Sequence, residues 1–120
     1  MAQAAMLPVD AHDAPAIDRV HLRQMTFGDR ALERELLQLF DRQAEVLLAR
    51  MRGADATVLA ALAHTLKGSA AGIGASAVAR TAATVERAAA GSPAERAAAL
   101  AALSAAIDAA RAEIAALLAA

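Results

Sequence analysis

Alanine occupies 39 of the 120 positions, and leucine, at 15, is the most frequent larger apolar residue, so any core this chain builds must be thin and closely spaced. Alanine, leucine, arginine and glutamate lose least on entering a helix. The chain offers a sheet little, having no tryptophan, no tyrosine, two phenylalanines and few β-branched residues. An all-α domain is therefore expected. A length of 120 residues suits one such domain and excludes a multidomain enzyme with separate nucleotide and substrate lobes.

The net charge is −1, with 12 basic and 13 acidic residues dispersed along the chain, which gives neither a polybasic face for nucleic acid nor an acidic tail. The absence of cysteine excludes disulfides, thiolate catalysis and Cys-ligated zinc or iron–sulfur centres. Met1 to Ala16 lack the basic-then-apolar order of a signal peptide, and the apolar stretches are alanine runs broken by charge, too weak for a membrane span. A cytoplasmic protein that engages neither nucleic acid nor membrane is the expectation.

Residues 1–15, with Pro8, Asp10, Asp13 and Pro15 among alanines, read as a flexible lead-in, and residues 16–120 as the folded domain. A short helix is expected at about Ala16 to Met25, followed by a turn and N-cap at Gly28-Asp29. A long second helix then carries Leu32, Leu36, Phe40, Leu47 and Met51 at helical spacing as far as Gly53. Asp55 caps a third, with Leu59, Leu62, Leu66 and Ile73, which the glycines at 72 and 74 end or bend. A fourth starts near Ala75 with Val78, Ala82, Val85 and Ala89. Gly91 breaks it, and Ser92-Pro93-Ala94-Glu95 has the form of a capping box with proline at the first helical position. Leu100, Leu103, Ile107, Ala110, Ile114 and Leu117 then step 3, 4, 3, 4, 3 along the last helix. Short connections between long helices favour antiparallel neighbours, so the expected fold is an up-down-up-down four-helix bundle with a short additional N-terminal helix covering one end.

Three histidines occur, and His12 and His21, in or near the lead-in, are expected to be solvated and without a role. His64 differs. At about 100° per residue from Leu59, the core residues Leu62, Leu66 and Ile73 fall at about 300°, 340° and 320°, and His64 at about 140°, almost directly away from the core. Its neighbours on that face are Ala60, Ala61, Gly68 and Ala71, none larger than a methyl group. Lys67, the sole lysine of the chain, projects about 60° away and three residues along. Gly68 costs a helix about 1 kcal/mol relative to alanine, the residue used almost everywhere else here, so something needs the room. An outward histidine on a helix is usually just solvated; the combination with Lys67 and Gly68 on a bare face favours a site.

A metal centre would need further ligands beside His64, and the flanking positions are alanine and glycine. A hydrolytic triad would need a nucleophile within reach, and Thr65 and Ser69 point elsewhere on the wheel. What remains is His64 itself as nucleophile, since a neutral imidazole is available at pH 7 to attack an activated electrophile. A phosphoryl group fits best, because Lys67 can offset its charge and Gly68 leaves its oxygens room.

The segment Ala63-His64-Thr65-Leu66-Lys67-Gly68-Ser69-Ala70, with Gly74-Ala75 after it, closely resembles the signature of histidine-containing phosphotransfer (HPt) domains of multistep two-component phosphorelays. Gly28-Asp29 before a helix containing Leu39-Phe40, and Val85-Glu86 in the helix after the motif, extend the resemblance over roughly Ile17 to Leu118. It implies that His64 is the phospho-acceptor through Nε2, Lys67 the nearby cation and Gly68 the residue that keeps the site open. Ser69 matches a position often held by serine, although a hydroxyl bonded to its own helix is an equal reading. Glu86 stands where some members carry a glutamine that orients the imidazole; an acid there either accepts from Nδ1–H or sits in solvent.

The resemblance further implies a reversible relay. His64 takes a phosphoryl group from a receiver-domain phospho-aspartate and passes it to another receiver, the partners being a hybrid histidine kinase and a response regulator. No Gly-rich phosphate loop and no room for an ATP lobe exist, so no kinase activity is expected. No cofactor is expected on this chain either; magnesium would sit on the receiver, since no carboxylate cluster is evident here. Ala60, Ala61 and Ala71 would form the shallow centre of a small, transient docking face, with the second helix at its edge. A self-contained bundle with one such face suggests a monomer, and a start at Met1 with a loose lead-in suggests a complete product. The competing readings are a non-transferring helical adaptor with the same fold, and the phosphotransfer module of a chemotaxis-type kinase.

Overall fold

The computed structural model describes residues 15–120, which form five helices and, among the described residues, no strand. These are α1 (Arg19–Met25), α2 (Arg30–Met51), α3 (Ala56–Ile73), α4 (Ser76–Ala88) and α5 (Pro93–Ala119). The lead-in expected for residues 1–15, and His12 with it, lies outside the described residues apart from Pro15.

The helix ends are set by the side chains that the spacing suggested. Asp29 Oδ1 accepts from the Leu32 amide at 3.1 Å, and Asp55 Oδ1 from the Val58 amide at 2.9 Å. Ser92 and Glu95 close a reciprocal capping box, at 3.1 Å and 2.7 Å, with Pro93 leading α5. Gly72 stays inside α3, and it is Gly74 that ends the helix. Gly74 has φ +83°, and a Cβ there would lie 2.8 Å from the Asp18 carbonyl oxygen. That close approach is used, because the Asp18 amide donates to the Gly74 carbonyl at 2.8 Å and pins the start of α1 to the end of α3.

The first helix begins at Arg19, three residues later than the expected Ala16. Asp18 is its N-cap, and the preceding amides have a competing partner: those of Ala16 and Ile17 donate to the two carboxylate oxygens of Glu113 on α5, at 3.0 and 3.1 Å. An acid 97 positions away overrode local helical preference, and Ile17 is fully buried as a result.

Around the core, α2 packs on α3, α3 on α4, α4 on α5, and α5 back on α2, while α1 packs on α3. Leu37, Phe40 and Met51 of α2, Leu59 and Leu66 of α3, Val78 and Val85 of α4, and Leu103, Ile107 and Ile114 of α5 fill the interior. Buried Ala44, Ala63, Ala70, Ala82 and Ala110 lie between them and let the backbones approach closely. Leu32, Leu36, Leu100 and Leu117, expected in the seams, are half-buried at their edges. No helix of the described residues is long and apolar enough to cross a membrane.

Candidate phosphotransfer site on helices α3 and α4

Helix α3 holds Leu59, Leu62, Ala63, Leu66, Ala70 and Ile73 against the core, which turns His64 outward as the angular spacing requires. Its side chain is 66% exposed. Gly68 lies one turn further along the same exposed face, and a Cβ added there would meet no atom within 4 Å. The chain therefore has no internal steric need for glycine at this position. Ala61 and Ala71 are also exposed, whereas Ala60 is half-buried and packs against the core, leaving the bare patch narrower than expected on that side. The Thr65 hydroxyl donates to the Ala61 carbonyl at 3.1 Å, so the helix backbone already engages it.

Glu86 of α4 completes the cluster. Val85 is buried, and the next residue is carried about 100° round the helix, onto the side that faces α3. The two helices pack directly on one another, and a glutamate reaches across. Its Oε2 lies 3.0 Å from His64 Nδ1, and its Oε1 accepts from Lys67 Nζ at 3.0 Å. One carboxylate thus bridges both groups that the sequence singled out. The Lys67 hydrogen bond, opposed in part by burial and reinforced by His64, holds the Glu86 carboxyl below the usual carboxylate range.

An ionised carboxylate only accepts hydrogen bonds, so Nδ1 of His64 carries the proton on this contact. In a neutral ring that tautomer leaves the Nε2 lone pair unprotonated, on a side chain that is 66% exposed. The arrangement supplies an oriented nucleophilic nitrogen, a neighbouring ammonium and an open approach. Among the described residues no group of three or more His, Cys, Asp or Glu is placed to hold a metal ion.

His64 and Lys67 are brought together through Glu86, with Gly68 on the same exposed face; of the two readings open for Glu86, an imidazole partner or a solvated acid, the geometry favours the first. The sequence places His21 in solvent, and there the structure differs. His21 is half-buried on α1, and its Nε2 is enclosed without a hydrogen-bond partner.

The sequence profile of the Hpt domain family matches residues 35–120, which include the whole cluster. The chain belongs to the Hpt domain family, whose members carry out histidine phosphotransfer in two-component systems, have no kinase activity of their own, and interact with the receiver domains of response regulators and kinases. No curated protein and no solved structure matches the chain significantly.

Proposed function

We propose that this chain is a phosphorelay intermediate in which His64 accepts a phosphoryl group from the phospho-aspartate of one receiver domain and returns it to the aspartate of another. The observation that carries this reading is the 3.0 Å contact between His64 Nδ1 and Glu86, which leaves Nε2 free on an exposed face. The Nε2 lone pair attacks phosphorus, the P–O bond to the aspartyl carboxylate breaks, and that carboxylate leaves with the electron pair. The proton stays on Nδ1, hydrogen-bonded to Glu86, and the Lys67 ammonium offsets charge on the phosphoryl oxygens. Transfer onward reverses each step. Magnesium, on this reading, belongs to the receiver, and the chain acts without a cofactor or ATP of its own.

Residues 16–120 form the working domain, an antiparallel up-down-up-down four-helix bundle with α1 at one end, acting as a monomer in the cytoplasm. The receiver docks over Gly68, with Ala61 and Ala71 beside it and Ala60 at the margin. On α2, half-exposed Leu39 and Val46 lie about 160° and 140° from Asp41, the residue tied to α5, and so border the face turned away from that helix. Such a surface suits brief association with a partner helix.

The test is phosphoryl transfer from a labelled, phosphorylated receiver. The wild-type chain should acquire label that survives base and is lost in acid, and the His64→Ala variant should acquire none. A folded wild-type chain that binds receivers yet takes no label would make it an adaptor instead.

A further inference from the structure

We propose that Glu86 is a positioning residue that holds Lys67 in reserve, so that the carboxylate and an incoming phosphoryl group compete for one ammonium and the phosphohistidine is kept short-lived. The proposal rests on the phosphotransfer reading of His64 and goes beyond it by assigning control of the phosphorylated state to a residue that never touches phosphorus.

The geometry points to competition because the two oxygens of a single carboxylate are divided between two donors. Oε2 takes the ring nitrogen and Oε1 takes Lys67, each at 3.0 Å. Nδ1 and Nε2 lie on different edges of the imidazole, so the phosphoryl group forms on the edge that Glu86 does not occupy. For its ammonium to neutralise that group, Lys67 must leave Oε1. Lys67 is about a third exposed, at 37%, and sits one turn from His64 on the same helix, so its flexible stem can reach either partner. A phosphoryl group brings nearly two negative charges and draws the ammonium strongly. An ionised Glu86 draws it back, and that pull lowers the stability of phosphohistidine relative to the free ring. For a shuttle the consequence is useful: the phosphoryl group is held loosely enough to be passed on.

A glutamine at position 86 separates the two roles of the carboxylate. Its carbonyl oxygen still accepts from Nδ1–H, preserving ring orientation, while its uncharged amide no longer holds Lys67. An alanine removes both. In the structure as it stands, nothing else binds the Lys67 ammonium among the described residues.

The experiment phosphorylates the wild-type chain, the single variants Glu86→Gln, Glu86→Ala and Lys67→Met, and the Glu86→Gln/Lys67→Met double variant with phosphoramidate. In that reaction Nε2 attacks phosphorus, the P–N bond breaks and ammonia leaves. The donor is then removed and loss of phosphohistidine is followed by 31P NMR. Glu86→Gln should lengthen the half-life about two- to fivefold, the factor expected of a partly exposed ion pair, and shift equilibrium with an unphosphorylated receiver toward the phosphohistidine by a similar factor. In the Lys67→Met background the same substitution should change the half-life little. Nitrogen-15 shifts of His64 should show the Nδ1–H tautomer retained in Glu86→Gln and lost in Glu86→Ala. An unchanged half-life in Glu86→Gln, or an equal lengthening with and without Lys67, overturns the competition while leaving the relay reading intact. A wild-type chain in which His64 takes no phosphoryl group from either phosphoramidate or a receiver overturns both.

Discussion

Two polar clusters each join a pair of neighbouring helices, and they differ in what they leave unfinished. On the α2–α5 side, Arg111 donates to Asp41 Oδ1 at 2.8 Å and reaches Glu45 at 3.6 Å, and its guanidinium is held more firmly protonated by the Asp41 hydrogen bond. Cation and carboxylates there satisfy one another and tie two helices together. On the α3–α4 side, Glu86 likewise gathers two donors, but one of them is a ring that it holds through Nδ1 on a side chain that is 66% exposed. The residues are of ordinary types in both places. What distinguishes the α3–α4 cluster is an imidazole oriented through one nitrogen on an exposed face, beside a glycine that the fold itself does not require.

That contrast breaks most sharply at His64 and its inward neighbour. Leu66 is fully buried, two residues from His64 on the opposite face, and Leu66→Ala should destabilise the domain by about 2–5 kcal/mol, measured by urea unfolding. His64→Ala should shift stability by less than about 0.5 kcal/mol while abolishing phosphoryl transfer. A His64→Ala protein that unfolded like Leu66→Ala would make the imidazole a structural group.

Gly68→Ala sharpens the comparison next. Since a Cβ at this position meets nothing within 4 Å, the substitution should stabilise the helix by up to about 1 kcal/mol and slow transfer from a receiver. A gain in thermal midpoint with an unchanged transfer rate would remove Gly68 from the docking face. Asp41→Ala should do the reverse, costing about 0.2–1 kcal/mol, the range for partly exposed ion pairs, with no change in transfer.

The smallest effect expected is the pH dependence contributed by Glu86. Its carboxyl is held below the ordinary value of 4.5, chiefly by Lys67, so its stabilising contribution is fully present above that value and is lost as pH falls through the lower folded-state value. The difference in stability between wild type and Glu86→Gln should therefore shrink on acidification across that window. A difference that grew on acidification would contradict the assigned sign.

Much of this was legible in the sequence because it depends on nearest neighbours along one helix. Asp29, Asp55 and Ser92 cap what they precede, Gly74 stops α3, and an angular count from Leu59 turns His64 outward without knowledge of any other helix. The misses share one cause, contact between segments distant in the chain. Ala16 and Ile17 look helical until Glu113 takes their amides, and His21 looks solvated until the fold encloses its Nε2. Glu86 looks like an ordinary acid on the flank of α4. Its contacts with His64 and Lys67 cross from α4 to α3, which no local pattern states; the available signal was its place directly after the core-facing Val85.

The most direct test of the account locates the transferred phosphorus atom. The chain, labelled with nitrogen-15 at histidine, is incubated with a phosphorylated receiver and studied by 15N and 31P NMR. Phosphorus is expected on His64 Nε2, with Nδ1 still carrying its proton. Phosphorus on Nδ1, on another residue, or absent from the chain altogether would contradict it.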